Sequence, residues 1–155
     1  MATKDIRDAW LKLAELEAQL VAPWKDGSDL KIEKVWLWYP SGRTEITDTP
    51  CFLNEWVAGP VAFGSALTRR SYTFRTRLLI YDADLDVAAE MASAFETPML
   101  EMLARNVTLE QTVTNISEWR GADPTIGPVE YGAKRYIGCD HELDVELVDA
   151  IEIGP

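Results

Sequence analysis

The chain of 155 residues carries 26 acidic against 15 basic side chains, a formal net charge of −11. That balance argues against a duplex DNA binder, whose phosphate contacts need a net basic face, and the length makes one domain the expectation. No stretch approaches the ~18 apolar residues of a membrane span, the charged opening MATKDIRDAW is not a secretory signal pattern, and the two cysteines, Cys51 and Cys139, read as buried, reduced thiols rather than a disulfide framework.

Residues 4–21 are predicted as an amphipathic helix, because Ile6, Trp10, Leu13, Leu16 and Leu20 recur at three- and four-residue spacing; Pro23 stops it. KIEKVWLWYP, 31–40, is predicted as a strand ended by Pro40. It sets Val35, Leu37 and Tyr39 on one face and Trp36 and Trp38 on the other, so both faces are apolar and both should be covered. Residues 40–68 hold Pro40, Gly42, Pro50, Gly59, Pro60 and Gly64, and no period persists. The expectation there is a long irregular arm with short strands near 50–54 and 61–66. Its apolar content, CFLNEWVAGPVAF, must pack on something, a neighbouring subunit being one candidate.

Residues 70–81 give the clearest strand, with Tyr72, Phe74, Leu78 and Ile80 on one face and Thr73, Arg75, Arg77 and Leu79 on the other. Asp82 or Asp84 then caps a helix. Thr97-Pro98 reads as a fresh helix start, so a kinked helix or two short ones span about 85–105. A strand is predicted over 107–119, a turn over GADPTIGP, and one long strand, or two joined at Gly138, over 130–152. The order implies an α+β single domain: a largely antiparallel sheet, helices packed on one face, and an extended irregular arm over 40–68.

Two strands differ in charge. RRSYTFRTRLLIYD, 69–82, carries Arg69, Arg70, Arg75 and Arg77, whereas DHELDVELVDAIEIGP, 140–155, has no lysine or arginine and alternates Glu142, Asp144 and Glu146 with Leu143, Val145 and Leu147. Opposite charges across a sheet contribute roughly 0.2–1 kcal/mol per pair and fix register. The basic stripe is therefore expected to meet the acidic one, within one sheet or across a subunit boundary. The alternative is a nucleic-acid contact on the arginines.

Residues that carry chemistry are scarce. His141 is the single histidine, and Cys139 and His141 share a strand face, but two ligands fall short of the usual four of a zinc site. A thiol enzyme pairing Cys51 or Cys139 with His141 is a further reading, set against a structural role for Cys51 between Pro50 and Phe52. No glycine loop for phosphate is present. Of the six tryptophans, Trp10, Trp36 and Trp38 read as core, and Trp24, Trp56 and Trp119 as candidate interface anchors.

The elements VWLWYP (35–40), YTFRTRLLIYDADLD (72–86), VAAEMASAF (87–95) and ELDVELVDAIE (142–152), in that order, resemble the tail terminator, or tail completion, proteins of long-tailed bacteriophages and related neck and minor tail proteins. The resemblance rests on order and texture over most of the chain. It implies a structural, non-enzymatic virion protein, without cofactor, metal or catalytic residues, assembled as a hexameric ring on the end of the tail tube. Its implied partners are the tube protein and the head connector, with genomic DNA passing the lumen unbound and no membrane. In such a ring Arg69, Arg70, Arg75, Arg77, Glu142, Asp144, Glu146 and Trp56 are the expected subunit-interface residues.

Overall fold

In a computed structural model, residues 3–120 and 128–150 are described. A central sheet is covered by helices on one face, the α+β architecture expected. Helix α1 (Ile6–Glu17) is capped by Asp5, whose carboxylate accepts from the Arg7 amide at 2.8 Å, a cap worth about 1 kcal/mol. Strands β1 (Val21–Pro23) and β2 (Asp29–Lys31) form a small antiparallel ladder around a 3₁₀ turn. Strands β3 (Lys34–Trp36), β4 (Cys51–Phe63) and β5 (Leu67–Ile80) follow. Helices α2 (Leu85–Ala94) and α3 (Glu96–Arg105) come next, then β6 (Asn115–Arg120), β7 (Pro128–Tyr131) and β8 (Lys134–Ala150).

The main sheet runs β3-β4-β5-β8-β6, with β7 paired to the start of β8. Every pairing is antiparallel except β3 with β4. The inner face carries Phe52, Phe74, Leu78, Ile80, Cys139, Leu143, Val145 and Leu147 beneath Ala9, Leu13, Ala88, Ala92, Phe95 and Met99 of the helices. A smaller core of Ile46, Cys51, Leu53, Leu79, Tyr131 and Tyr136 lies on the outer face. The Tyr136 hydroxyl ties this core to the 37–50 segment by donating to the Ile46 carbonyl at 2.6 Å. Strand β3 lies between the two cores, Val35 packing on one and Trp36 on the other, as its two apolar faces require.

Five expectations need correction. The segment 40–68 is not an irregular arm: residues 51–63 form one continuous strand, folded back on β5 by a turn in which the Gly64 amide donates to the Leu67 carbonyl at 2.7 Å. Gly59 and Pro60, read as breakers, are absorbed by a bulge between Ala58 and Val61. There the backbones approach closely, since a Cβ on Gly59 would lie 3.1 Å from the Ser71 carbonyl oxygen. The strand expected over 31–40 contracts to Lys34–Trp36, and Trp38 is 62% exposed rather than core.

The strand over 107–119 begins only at Asn115. Before it, Leu109, Glu110 and Gln111 take left-handed backbone conformations, φ 44, 53 and 70. Buried Leu109 and Val113, four residues apart, fold that segment inward instead of extending it. The helical break falls at Phe95, with Thr97 and Pro98 inside the first turn of α3 and no side-chain cap. Asp84 caps α2 and β8 is one strand running through Gly138, both as expected, while the helix predicted over 4–21 ends at Glu17 and Val21–Pro23 pairs as β1 instead. Most of the turn predicted over 121–128, and the end of the strand predicted to 152, lie outside the described residues.

Candidate functional site: charge rows and a free strand edge

The basic and acidic stripes meet inside the sheet. The register sets Arg75 opposite Glu55 on one side and Glu142 on the other, and Arg120 opposite Glu142. The outer face thus carries one row of alternating charge across four strands, Glu55–Arg75–Glu142–Arg120. Its closest nitrogen–oxygen distances are 3.7, 3.5 and 2.8 Å. One row along, Asp144 accepts from the Thr73 hydroxyl at 2.7 Å and from Arg120 at 2.9 Å. These bonds hold its carboxyl below the usual carboxylate range, Arg120 being the main cause.

Arg77 bonds Asp140, directly opposite it on β8, at 2.7 Å and lies over the Tyr39 ring. Gly138 permits this placement, because a Cβ there would come within 3.2 Å of Arg77 Cδ. Arg70 has the opposite parity. It bonds Asp149 at 2.8 Å and the Lys4 carbonyl, tying β5 and β8 to the segment before α1. Glu146 stands opposite Ser71 and Asn115. Arg69 is exposed and makes no ion pair among the described residues. Of the eight residues singled out from sequence, five (Arg70, Arg75, Arg77, Glu142, Asp144) are therefore ion-paired within the chain. A nucleic-acid reading retains Arg69 alone as an unengaged arginine of that set.

The eighth residue, Trp56, opens a different surface. Strand β3 covers β4 only at residues 51–53. From Asn54 to Phe63 the other edge of β4 is bounded by no strand among the described residues. At ~3.4 Å per residue that edge runs about 30 Å. Every residue from Trp56 to Phe63 is exposed, and none is charged. Val57, Val61 and Leu67 project from this hairpin, and Phe63, beside its turn, is 79% exposed. Trp56 packs edge-on against Tyr72 at 5.6 Å, which stiffens the root of the projection. An apolar strand edge of this kind, left without a strand neighbour among the described residues, is able to take up another extended chain.

The inner face holds what sequence reasoning missed. Ala9, Leu13 and Glu17 are the buried residues of α1, four apart, so Glu17 occupies a core position. Its carboxylate accepts from Asn54 Nδ2 at 2.7 Å and from the Thr76 hydroxyl at 2.5 Å. Burial pushes its pKa up to about 7, against the lowering effect of those two bonds. Asn54, Thr76 and His141 stand side by side on β4, β5 and β8. His141 is buried between Phe52 and a stacked Trp119, and neither ring nitrogen has a protein partner. Burial lowers its pKa to about 4. The four-residue step from Leu13 to Glu17 was the available signal.

The Cys51 thiol reading does not assemble. Cys51 belongs to the outer core and His141 to the inner face, so the sheet separates them. Burial pushes the Cys51 thiol up to about 12, away from the thiolate that nucleophilic chemistry needs. Cys139 does share the inner face with His141, but no group of three His, Cys, Asp or Glu side chains among the described residues could hold a metal. No helix among the described residues is long and apolar enough to cross a membrane. No known protein family matches the chain, and no curated protein matches it.

Proposed function

We propose that this protein is a structural virion component, of the tail terminator or a related neck type, that forms a ring capping the tail tube and joining it to the head connector. The observation that carries this reading is the free edge of β4: about 25 Å of uncharged, exposed strand from Trp56 to Phe63, bounded by no strand among the described residues, on a chain whose net charge is −11. An edge of that kind on a monomer invites aggregation, so it calls for a partner in the assembled state. A closed ring repeats one heterologous interface, in which each subunit offers two different surfaces. The β4–β5 hairpin supplies one. The helical side, with exposed Leu11, Val21, Leu100 and Val107, supplies apolar surface for a second. The acidic balance suits a channel through which DNA passes without adhering.

Light scattering over a concentration and salt series, with and without tail tube protein, tests the reading. A closed oligomer, alone or on the tube, is the expected result. A monomer unmoved by concentration, salt and tube overturns it.

A further inference from the structure

We propose that Glu17 is a proton-operated latch that seats the C-terminal turn of α1 on the root of the β4–β5 hairpin, closed when the carboxyl is neutral and open when it is ionised. Glu17 has no exposed surface, and its two bonds run to two different strands, Asn54 of β4 and Thr76 of β5. Asn54 is also the first residue of β4 beyond the cover of β3. The carboxyl therefore joins the helix to the sheet where the projecting edge begins.

Among the described residues no cation offsets a charge at this place. From β4, Glu17 meets Asn54, and from β5, Thr76, both uncharged. From β8 the row ends in His141, buried and held neutral by burial. The nearest basic residue on β3, Lys34, lies 3.8 Å over the Trp36 ring. Within α1, Lys12 is engaged by Glu15 and Glu110. An ionised Glu17 would thus keep two hydrogen bonds and gain no ion pair, while losing its hydration.

The direction with pH follows. The ordinary carboxyl value is 4.5 and the folded value about 7, so folding favours the protonated form. The stability that Glu17 contributes is complete below about 4.5 and is lost as pH rises through about 7. His141 acts in the opposite sense. Its ordinary value is 6.5 and its folded value about 4, so its contribution is complete above 6.5 and is lost as pH falls through about 4. The seat is therefore tightest in the weakly acidic range and loosens on the alkaline side through Glu17 alone.

The test compares the full chain with Glu17→Gln, whose amide accepts from Asn54, can donate to Thr76 and cannot ionise. Hydrogen exchange of α1 peptides, corrected for intrinsic rates, is followed from pH 5.5 to 8.5. The ratio of α1 protection in the natural chain to that in Glu17→Gln, in which the shared His141 contribution cancels, is expected to fall roughly thirtyfold across that span. Parallel profiles in the two proteins overturn the proposal. If Glu17→Gln does not fold, the titration of the Glu17 carboxyl carbon in the natural chain decides. A midpoint near 7 supports the latch, and one at or below the ordinary 4.5 overturns it. Neither readout depends on the assembly state, so the ring reading stands or falls separately.

Discussion

The two edges of the main sheet are built on opposite plans. On the β6 side the edge strand has six residues and a bulge between Ile116 and Glu118. The Ile116 amide is already taken by the Val107 carbonyl at 2.8 Å, and Glu118 and Arg120 bring charge. Arg120 also gathers Glu142 and Asp144 of the neighbouring strand. Short, bulged, covered and charged is how proteins keep a sheet from growing. On the β4 side only the bulge and Pro60 are present, both in the middle of a long apolar run. One sheet guards one edge and, among the described residues, leaves the other open, and the open edge is the surface that the proposed ring contact would use.

The largest effect should come from giving β4 the guards that β6 has. Val57→Lys with Val61→Lys is expected to weaken assembly by about a hundredfold, while stability in urea changes by no more than about 0.5 kcal/mol because both sites are exposed. Unchanged oligomer mass would remove the edge from the interface. Next comes the interior control. Arg77→Ala should cost about 1.5 kcal/mol, since it strands half-buried Asp140 and uncovers Tyr39. Thermal unfolding checks this, and a neutral result would make that pair incidental.

On the guarded side, Arg120→Ala should lower stability by about 1 kcal/mol through repulsion among Glu118, Glu142 and Asp144. The monomer mass should not change, because length, bulge and the Val107 cover still protect β6. New concentration-dependent association there would show that charge alone was the guard. The smallest effect is expected from the coupling between Arg75 and Glu142, read from Arg75→Gln and Glu142→Gln singly and together. Arg75→Gln alone should cost a few tenths of a kcal/mol, and less in the Glu142→Gln background. A double-mutant cycle with no coupling would mean that the 3.5 Å approach contributes nothing.

The periodic elements were legible because their chemistry is local. Strict alternation in β5 and β8 gave both faces correctly, and the opposed stripes foretold their pairing. The hairpin 51–80 was read as half irregular because Gly59 and Pro60 look like stops, and only β5 alongside turns them into a bulge. Val107, Leu109 and Val113 imitate a strand, and the inward turn of Leu109 and Val113 depends on burial that no short window contains. Glu17 was hidden by its identity: a glutamate on an acidic helix reads as solvated until Asn54 and Thr76, distant in sequence, are found beneath it. Five of the seven charged residues chosen as interface found in-chain partners, because a stripe states what it needs and not which chain supplies it.

The β4–β5 hairpin has a consequence for how the chain is made. Its two strands adjoin in sequence, so they can pair as soon as they leave the ribosome. Strand β8, which covers the far edge of β5, follows after about fifty more residues. For that interval β5 has no partner on its far edge, and β4 has β3 beside it only at Cys51–Leu53. Chains arrested before residue 134 should therefore collect in insoluble material, and Val57→Lys with Val61→Lys should keep more of them in solution.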